Sequence, residues 1–424
     1  MLLFFVAAGL IGYAGALLVL LFRESFLDLR GLFVPRAAGM VALARDLPWW
    51  GRLTLPVAGG VLAGALLDYT LRRKPPRPSS HDYLEAITIG DGRLSIRETL
   101  LQSAASLCSI STGASIGREG PMVQLAAMAG SALGRVLRLS PENLRLLVAC
   151  GATAGLAAAY NAPIAGLLFI VEIAFGSLSK ETLAPMIVSA VIAASVARHA
   201  FGISPVYQIP HFSLAADGTI FTYIGLGVFC GFVAPVFRRM LDLSRGGFKR
   251  LGRTRIVTMA LGGLGVGLIS VWIPDVWGNG YSVVNSILRT DWTWGALLAI
   301  LVFKIVATSL SYGSGAVGGV FTPTLFVGAA LGALYGHVFS HSASPQDAVF
   351  LSYVLVGMGA FLSSITYAPL MSILMIYELT QSYEIVLPLM LACVISHFIA
   401  QKIRQDSIYA HKESPQSAAS VEVS

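Results

Sequence analysis

Long apolar segments recur along the chain, separated by short polar stretches. The runs at 1–22, 54–71, 183–202, 219–236, 256–273 and 385–400 approach the length that a helix needs to cross a bilayer, about 20 residues. The first run lacks the basic start and the small-residue cleavage site of a signal peptide. We therefore interpret it as the first of many membrane-spanning helices, and the pattern predicts an all-α membrane protein.

Composition supports this assignment. Of the 424 residues, 55% are hydrophobic and only 12% are charged, whereas soluble domains carry roughly 25% charged residues. The cysteines sit inside apolar runs without CxxC spacing, which favours buried thiols over disulfides or zinc ligands. These are Cys108, Cys150, Cys230 and Cys393. No metal site is predicted.

The formal charge of +7 is concentrated in short stretches that adjoin the apolar runs, at 71–77, 237–240, 244–255 and 401–404. Basic residues beside membrane spans favour the cytoplasmic side, so we expect both termini to be cytoplasmic. The stretches lack the interleaved aromatic residues of a nucleic-acid surface, and membrane lipids are the predicted surroundings. We expect a transmembrane domain over 1–405 and a cytoplasmic tail over 406–424 without a regulatory domain.

An internal repeat divides the chain. Residues 151–174 align with 357–380 at an offset of 206 (357 − 151), with eight identities in 24 positions. A second pair, "TGASIGREGP" ending at Pro121 and "GSGAVGGVFTP" ending at Pro323, aligns at an offset of 202 (323 − 121). Helices rich in small residues resemble one another by composition, but the shared order favours duplication. The repeat predicts two inverted halves, about 1–205 and 215–405, with a binding site where their broken helices meet.

The breaks themselves suggest chemistry. "GREGP" at 117–121 and "GGVFTP" at 318–323 each precede an apolar helix, so each presents a helix N-terminus with unpaired N–H donors and partial positive charge. Such backbone is tolerated in a membrane only when it is buried or lines a cavity. Gly117, Gly120, Pro121 and Gly319 shape this predicted anion site, which uses neutral donors and lets a halide leave again.

Glu119 lies at the start of one of these helices. Its carboxylate can compete with a diffusing anion for the same donors and would be released on protonation, which makes it a candidate gate. The alternative is that Glu119 pairs with Arg118 to satisfy the loop. We interpret Arg118 mainly as a structural donor, and Glu172 and Glu378, at matching repeat positions, as sharing a structural or interfacial role.

These residues resemble the CLC chloride channel and transporter family. "GREGP", "GGVFTP" and the tyrosine of "DSIYA" at 406–410 carry the likeness, and "WGNGYS" at 277–282 most resembles a bacterial branch labelled voltage-gated ClC-type chloride channels. The resemblance implies a CLC-type fold, a homodimer with one pore per subunit, and a bacterial inner (plasma) membrane. It further implies that Glu119 is the external gate and that the amides of Val320 and Phe321 and the hydroxyl of Tyr409 bind chloride.

Two positions depart from the family pattern. The first motif, usually GSGIP-like, is replaced by "RPSSHDY" at 77–83, so the chloride-binding serine falls on Pro78, with Ser79 and Ser80 beside it. Ile173 occupies the position of the internal proton-transfer glutamate of proton-coupled members. An isoleucine cannot relay a proton.

We therefore expect chloride-selective transport that is channel-like and gated by Glu119, with chloride as the bound and transported ion and no cofactor. Chloride/proton exchange through another internal proton route, such as a water chain, is the main alternative. A fluoride exporter and a non-transporting membrane scaffold are less favoured. An enzyme is not expected, because no nucleophile–base pair or metal cluster is visible.

Overall fold

A computed structural model describes residues 2–33, 39–72, 80, 82–176, 179–202, 207, 209, 220–340 and 344–409. Within these ranges the chain forms seventeen α-helices and no strands. In the first half they are α1 (Leu2–Gly31), α2 (Met40–Asp46), α3 (Trp49–Arg72), α4 (Tyr83–Thr88), α5 (Ile96–Ser111), α6 (Glu119–Val136), α7 (Pro141–Tyr160), α8 (Pro163–Ile170) and α9 (Lys180–Phe201). In the second half they are α10 (Ile220–Arg250), α11 (Arg255–Trp272), α12 (Tyr281–Ile287), α13 (Trp294–Gly313), α14 (Phe321–Phe339), α15 (Ala348–Thr366), α16 (Pro369–Thr380) and α17 (Val386–Ile403).

Ten candidate spans in the described residues are long and apolar enough to cross a membrane. Two of them extend much further than the apolar runs that predicted them. α1 continues through Arg23 and Glu24 to Gly31, and α10 continues through a basic stretch to Arg250. Neither extension contains a proline, and long charged side chains are good helix formers, so the helices run on past the apolar segment.

The most buried helices lie at the centre of the molecule. In α14 and α15, 83% and 89% of the most apolar 18-residue stretch is buried inside the protein, against 39% in α10. A helix that is apolar all round and enclosed by protein is a core helix. The central pair α14/α15 and its counterpart α6/α7 carry the breaks identified in the sequence, so the site lies within the protein core.

The backbone reproduces the sequence repeat. Helices α7 and α15 both end in a left-handed residue, Asn161 at φ 56° and Tyr367 at φ 60°. α8 and α16 both follow an alanine of nearly the same conformation, Ala162 at φ −127°, ψ 77° and Ala368 at φ −122°, ψ 79°. The two halves therefore share their local geometry, and the fold is the predicted all-α arrangement of two inverted halves.

The halves are tied together by a reciprocal pair of carboxylates. Glu172, just after α8, accepts hydrogen bonds from the backbone N–H groups of Leu370 and Met371 at the start of α16, at 3.1 and 2.7 Å. Glu378, in α16, accepts from Ile164 and Ala165 at the start of α8, again at 3.1 and 2.7 Å. Each carboxylate thus satisfies unpaired N-terminal donors of the other half's helix. This is the shared structural role expected from their matching positions.

Candidate anion pathway

The two broken segments meet directly. Gly117 and Gly319 form an isolated antiparallel bridge, in which each backbone N–H donates to the other's carbonyl, at 2.7 and 2.8 Å. The bridge joins the loops that precede α6 and α14. Two helix N-termini, one from each half, therefore lie side by side as the repeat predicts.

These helix starts form a cluster of backbone donors. α6 begins at Glu119 and α14 at Phe321, and the first N–H groups of a helix have no partner within it. No side chain separates the two starts, because a Cβ on Gly120 would lie only 3.3 Å from the backbone nitrogen of Gly319. The arrangement suits an anion bound by neutral donors.

Glu119 is enclosed at this junction and is only 4% exposed. Its Oε1 accepts a hydrogen bond from the Asn279 side-chain amide at 3.2 Å. Its Oε2 lies over Gly117, where a Cβ would collide with it. The carboxylate is therefore folded back over the loop that leads into its own helix. Asn279 was not singled out from the sequence, although it is the middle residue of "GNG" in the family-like string "WGNGYS".

Arg118 does not brace the carboxylate. Its guanidinium carbon lies 5.2 Å from the centre of the Phe26 ring, and within the described ranges no ion pair joins it to Glu119. The alternative interpretation, in which Glu119 pairs with Arg118, would require an ion pair that these two residues do not form. Arg118 instead packs its charge against an aromatic face of α1.

A cavity of about 370 Å³ adjoins Glu119. Six of the residues predicted to act on the anion lie on its wall: Glu119, Gly120, Gly319, Val320, Phe321 and Tyr409. Gly117 and Arg118 line neither this cavity nor the wider one beside it, and Pro121 lines the wider one. Most of the residues predicted from the sequence therefore line one cavity.

Aromatic rings form much of the cavity wall. The Phe169 ring lies edge-on to Tyr409 at 5.3 Å and to Phe321 at 6.2 Å between centroids, and Tyr160 lies 5.1 Å from Phe321. Burial, and to a smaller extent the nearby Asp82 carboxylate, raises the pKa of Tyr409. Its hydroxyl therefore keeps its proton and remains available as a neutral donor.

The cavity wall near α4 was expected to carry a serine hydroxyl. Pro78 and Ser79 lie outside the described residues. Ser80 donates its backbone N–H to the Arg93 carbonyl at 3.1 Å and is not on the cavity wall, whereas Asp82 is. Asp82 also caps α4 by accepting from the Leu84 N–H at 3.2 Å. A carboxylate within "RPSSHDY" therefore lines the cavity, and its place in the motif that departs from the family pattern was the signal that could have identified it.

A wider vestibule of about 600 Å³ continues from this side of the cavity. Its wall carries four basic residues from the end of α10, the short connection after it and the start of α11: Arg245, Lys249, Arg253 and Arg255. Asp82, Tyr83, Gly120, Gly318, Arg245 and Tyr312 belong to both walls, so the two spaces adjoin. The basic stretch at 244–255 thus lines a space that adjoins the cavity beside Glu119.

Ile173 lies in a π-helical turn, Val171–Phe175, that follows α8. It is half-buried and packs against the core. The neighbouring Glu172 is occupied by the two N–H groups of α16. The position therefore places an aliphatic side chain beside a carboxylate that already has backbone partners.

Comparison with known proteins agrees with this geometry. Residues 59–401 match the family model described as "Voltage gated chloride channel". The chain is 53% identical over 410 residues to a ClcB-like chloride channel protein of Ralstonia nicotianae, covering 95% of each. It is 40% identical over 406 residues to the voltage-gated ClC-type chloride channel ClcB of Citrobacter koseri, covering 95% of this chain and 97% of that protein.

Among solved structures, a slow cyanobacterial Cl⁻/H⁺ antiporter superposes with a TM-score of 0.81 at 25% identity, covering 96% of both chains. The fold, the paired helix breaks and the family match lead to the same conclusion: the chain is a membrane protein of the CLC family, whose members are anion channels and transporters and not enzymes.

Proposed function

We propose that this protein is a chloride-selective, channel-like pathway in which the Glu119 carboxylate is the gate. The observation that carries the proposal is the position of Glu119, which lies on the wall of the cavity beside the N-termini of α6 and α14. A carboxylate there competes with chloride for the same donors, and protonation removes its charge and releases it. Flux should therefore rise as the pH falls.

The channel-like part of the proposal rests on Ile173. Coupled exchange needs a titratable group on the inner side to carry the proton, and an aliphatic side chain cannot supply one. Relatives of high identity are named as chloride channels. The basic vestibule supports anion entry, since like-signed charges that line a cleft raise the local concentration of the opposite ion.

Glu119→Gln tests the gate. The amide resembles the protonated acid, so chloride efflux from reconstituted liposomes should be high and nearly independent of pH, whereas wild-type efflux should rise on acidification. Glu384→Gln, which removes an exposed carboxylate beyond both cavities, is the matched control and should keep the wild-type pH profile. Unchanged efflux with its pH dependence intact in Glu119→Gln would remove Glu119 as the gate.

Proton coupling is tested on the wild type. Vesicles given a chloride gradient and no pH gradient should show little proton movement against its own gradient, and their membrane potential should settle at the chloride equilibrium value. Simultaneous chloride and pH recording gives both quantities. Stoichiometric proton uptake, abolished by Glu119→Gln, would overturn the channel-like mechanism.

One observation favours chloride/proton exchange as a second candidate function. Asp82 lines the same cavity as Glu119 and also faces the vestibule, so it offers an inner titratable group where Ile173 does not. A structural neighbour at 25% identity is described as a Cl⁻/H⁺ antiporter. If exchange occurs by this route, Asp82→Asn should abolish proton uptake and leave chloride efflux. Coupling that survives in Asp82→Asn would exclude Asp82 as the carrier.

We further propose a homodimer with one pathway per subunit in a bacterial inner membrane. α8 has 8 residues and α16 has 12, fewer than the roughly 20 needed to span a bilayer. Ile164 and Leu370 at their starts are about half exposed, at 48% and 50%, beside the hydrogen bonds of Glu172 and Glu378, and lipid would be a poor environment for this polar cluster. A second copy would cover this face. Native mass spectrometry in detergent should give twice the chain mass, and a monomer would contradict the assembly.

A further inference from the structure

A lysine is buried in the middle of the membrane-spanning helix α13. Lys304 has no exposed surface, and no carboxylate among the described residues lies within ion-pair distance of its ammonium. The ammonium donates to the backbone carbonyls of Val276 at 2.9 Å and Gly278 at 2.6 Å, and lies 5.5 Å from the centre of the Phe326 ring. Burying a charge in this way is costly, and such residues usually have a function. The contact between Lys304 and the loop at 276–280 therefore calls for a functional explanation.

The same loop contacts the gate. Asn279 follows directly after Gly278 and donates its side-chain amide to Glu119 Oε1 at 3.2 Å. The flanking residues Gly278, at φ 69°, and Gly280, at φ 98°, are in the left-handed region that glycine adopts readily. Two reversals in three residues let the backbone carbonyls of the loop meet Lys304 while the Asn279 side chain reaches Glu119.

A second contact fixes the loop against the segment before α6. Trp277 is fully buried, and its ring packs so closely on Gly113 that a Cβ there would lie 2.6 Å from the indole. Gly113 opens the "GASIGREGP" segment that ends in the gate. The loop thus touches that segment at both Gly113 and Glu119, and Lys304 holds the loop from the other side.

We propose that Lys304 is a positioning residue for the gate: by binding the carbonyls of Val276 and Gly278, it holds Asn279 against the Glu119 carboxylate and stabilises the closed position. The inference rests on the proposed gating role of Glu119 and adds the device that sets how readily the gate is released. Lys304 does not line the cavity beside Glu119.

The other groups that face Glu119 remain constant in the test. They are Tyr160, Tyr207, Tyr281 and Tyr409, together with Asp82, Tyr83, Arg245 and Tyr312 on the shared cavity wall. Lys304 and Asn279 act on only one of the two carboxylate oxygens. Removing their contact should therefore shift the pH dependence of the gate and leave chloride selection unchanged.

Lys304→Met keeps the approximate length and apolar bulk of the side chain and removes the ammonium group that makes both hydrogen bonds. Weakening a hydrogen bond to the ionised carboxylate makes its protonation easier, so we expect half-maximal chloride efflux at a pH about 0.5–1 unit higher. This is a roughly 3- to 10-fold lower proton concentration, in keeping with one weakened hydrogen bond to a charged group. Asn279→Ala should give the same shift, and the double variant no more than either alone. Ser189→Ala removes a buried hydrogen bond to the Cys150 carbonyl elsewhere, and should keep the wild-type profile.

Hydrogen–deuterium exchange provides a readout that does not depend on transport. Lys304→Met should raise exchange in residues 276–281 and also in 113–120, because the loop supports the gate segment. If Lys304→Met folds poorly, Lys304→Gln, whose amide can still donate to one carbonyl, should give smaller changes in the same directions. An unchanged pH profile, or faster exchange confined to 276–281, would overturn the positioning role. If Glu119→Gln fails to alter gating but exchange still spreads to 113–120, the proposed function fails and the structural coupling stands.

Discussion

At the residue scale, the proposed anion site would use many weak neutral donors, so we expect that no single side chain is essential for binding. Tyr409 illustrates this, because its hydroxyl is one donor among several backbone N–H groups on the same cavity wall. The aromatic ring itself is held by Phe169, so removing the oxygen should leave the wall in place.

Tyr409→Phe should weaken chloride binding by about 0.5–1.5 kcal/mol, the usual contribution of one neutral hydrogen bond, without abolishing it. Isothermal titration calorimetry of the purified protein measures the change. Ser407→Ala, which removes the hydroxyl that accepts from the Tyr409 N–H at 3.3 Å, controls for disturbance of the segment. Complete loss of chloride binding in Tyr409→Phe would mean that the backbone donors are misassigned.

Contacts between distant positions that the repeat does not relate could not be predicted. Glu119 was identifiable because its own motif places it at a helix start, but Asn279 lies 160 positions away from it. Lys304 left a usable signal, since a single cation within "LLAILVFKIVATS" is costly in a membrane and normally has a functional reason. Its partners, two carbonyl groups in a glycine-rich loop, have no signature in the side-chain sequence.

At the element scale, the repeat in the sequence translated into matching helix boundaries, whereas helix lengths were underestimated. The alignment of 151–174 with 357–380 placed both helix breaks, because glycine, proline and alanine positions fix local backbone geometry. Hydrophobicity alone marked the span of α10 as far as residue 236, although the helix continues to Arg250. Hydrophobicity marks the part of a helix that is embedded in lipid. The ends of the helix are set by helix-breaking and capping residues.

The reciprocal carboxylates give a prediction at this scale. Glu172→Gln and Glu378→Gln each weaken two charge-assisted bonds to the first turn of the opposite short helix, so each should destabilise the protein by about 1–3 kcal/mol. Because the two bond pairs have the same lengths, the losses should be similar. Thermal unfolding in detergent, with the exposed Glu181→Gln as control, provides the comparison. A marked drop in only one variant would show that the two halves are not equivalent here.

At the scale of the whole molecule, the sequence predicted the membrane class, the two halves and the junction of the breaks, because composition and repetition report on the chain as a whole. It did not predict which space the basic stretch at 244–255 would line. That required knowing that the end of α10 and the start of α11 come together beside Asp82 and Tyr312. Residue statistics assign these basic residues only to a side of the membrane, whereas the structure shows which space they line.

This placement predicts that the vestibule charges act through a long-range field. Arg253→Gln combined with Arg255→Gln should lower chloride conductance in planar bilayers by a factor on the order of three at low ionic strength, because fewer anions collect at the mouth. The difference should largely disappear as salt rises from about 0.01 M to about 1 M, since the screening length falls from about 30 to about 3 Å. Arg138→Gln with Arg289→Gln removes the same net charge outside both cavity walls and should leave conductance nearly unchanged. A loss that persists at high salt would assign Arg253 and Arg255 to structure instead of steering, and an equal loss in the control pair would attribute the effect to net charge alone.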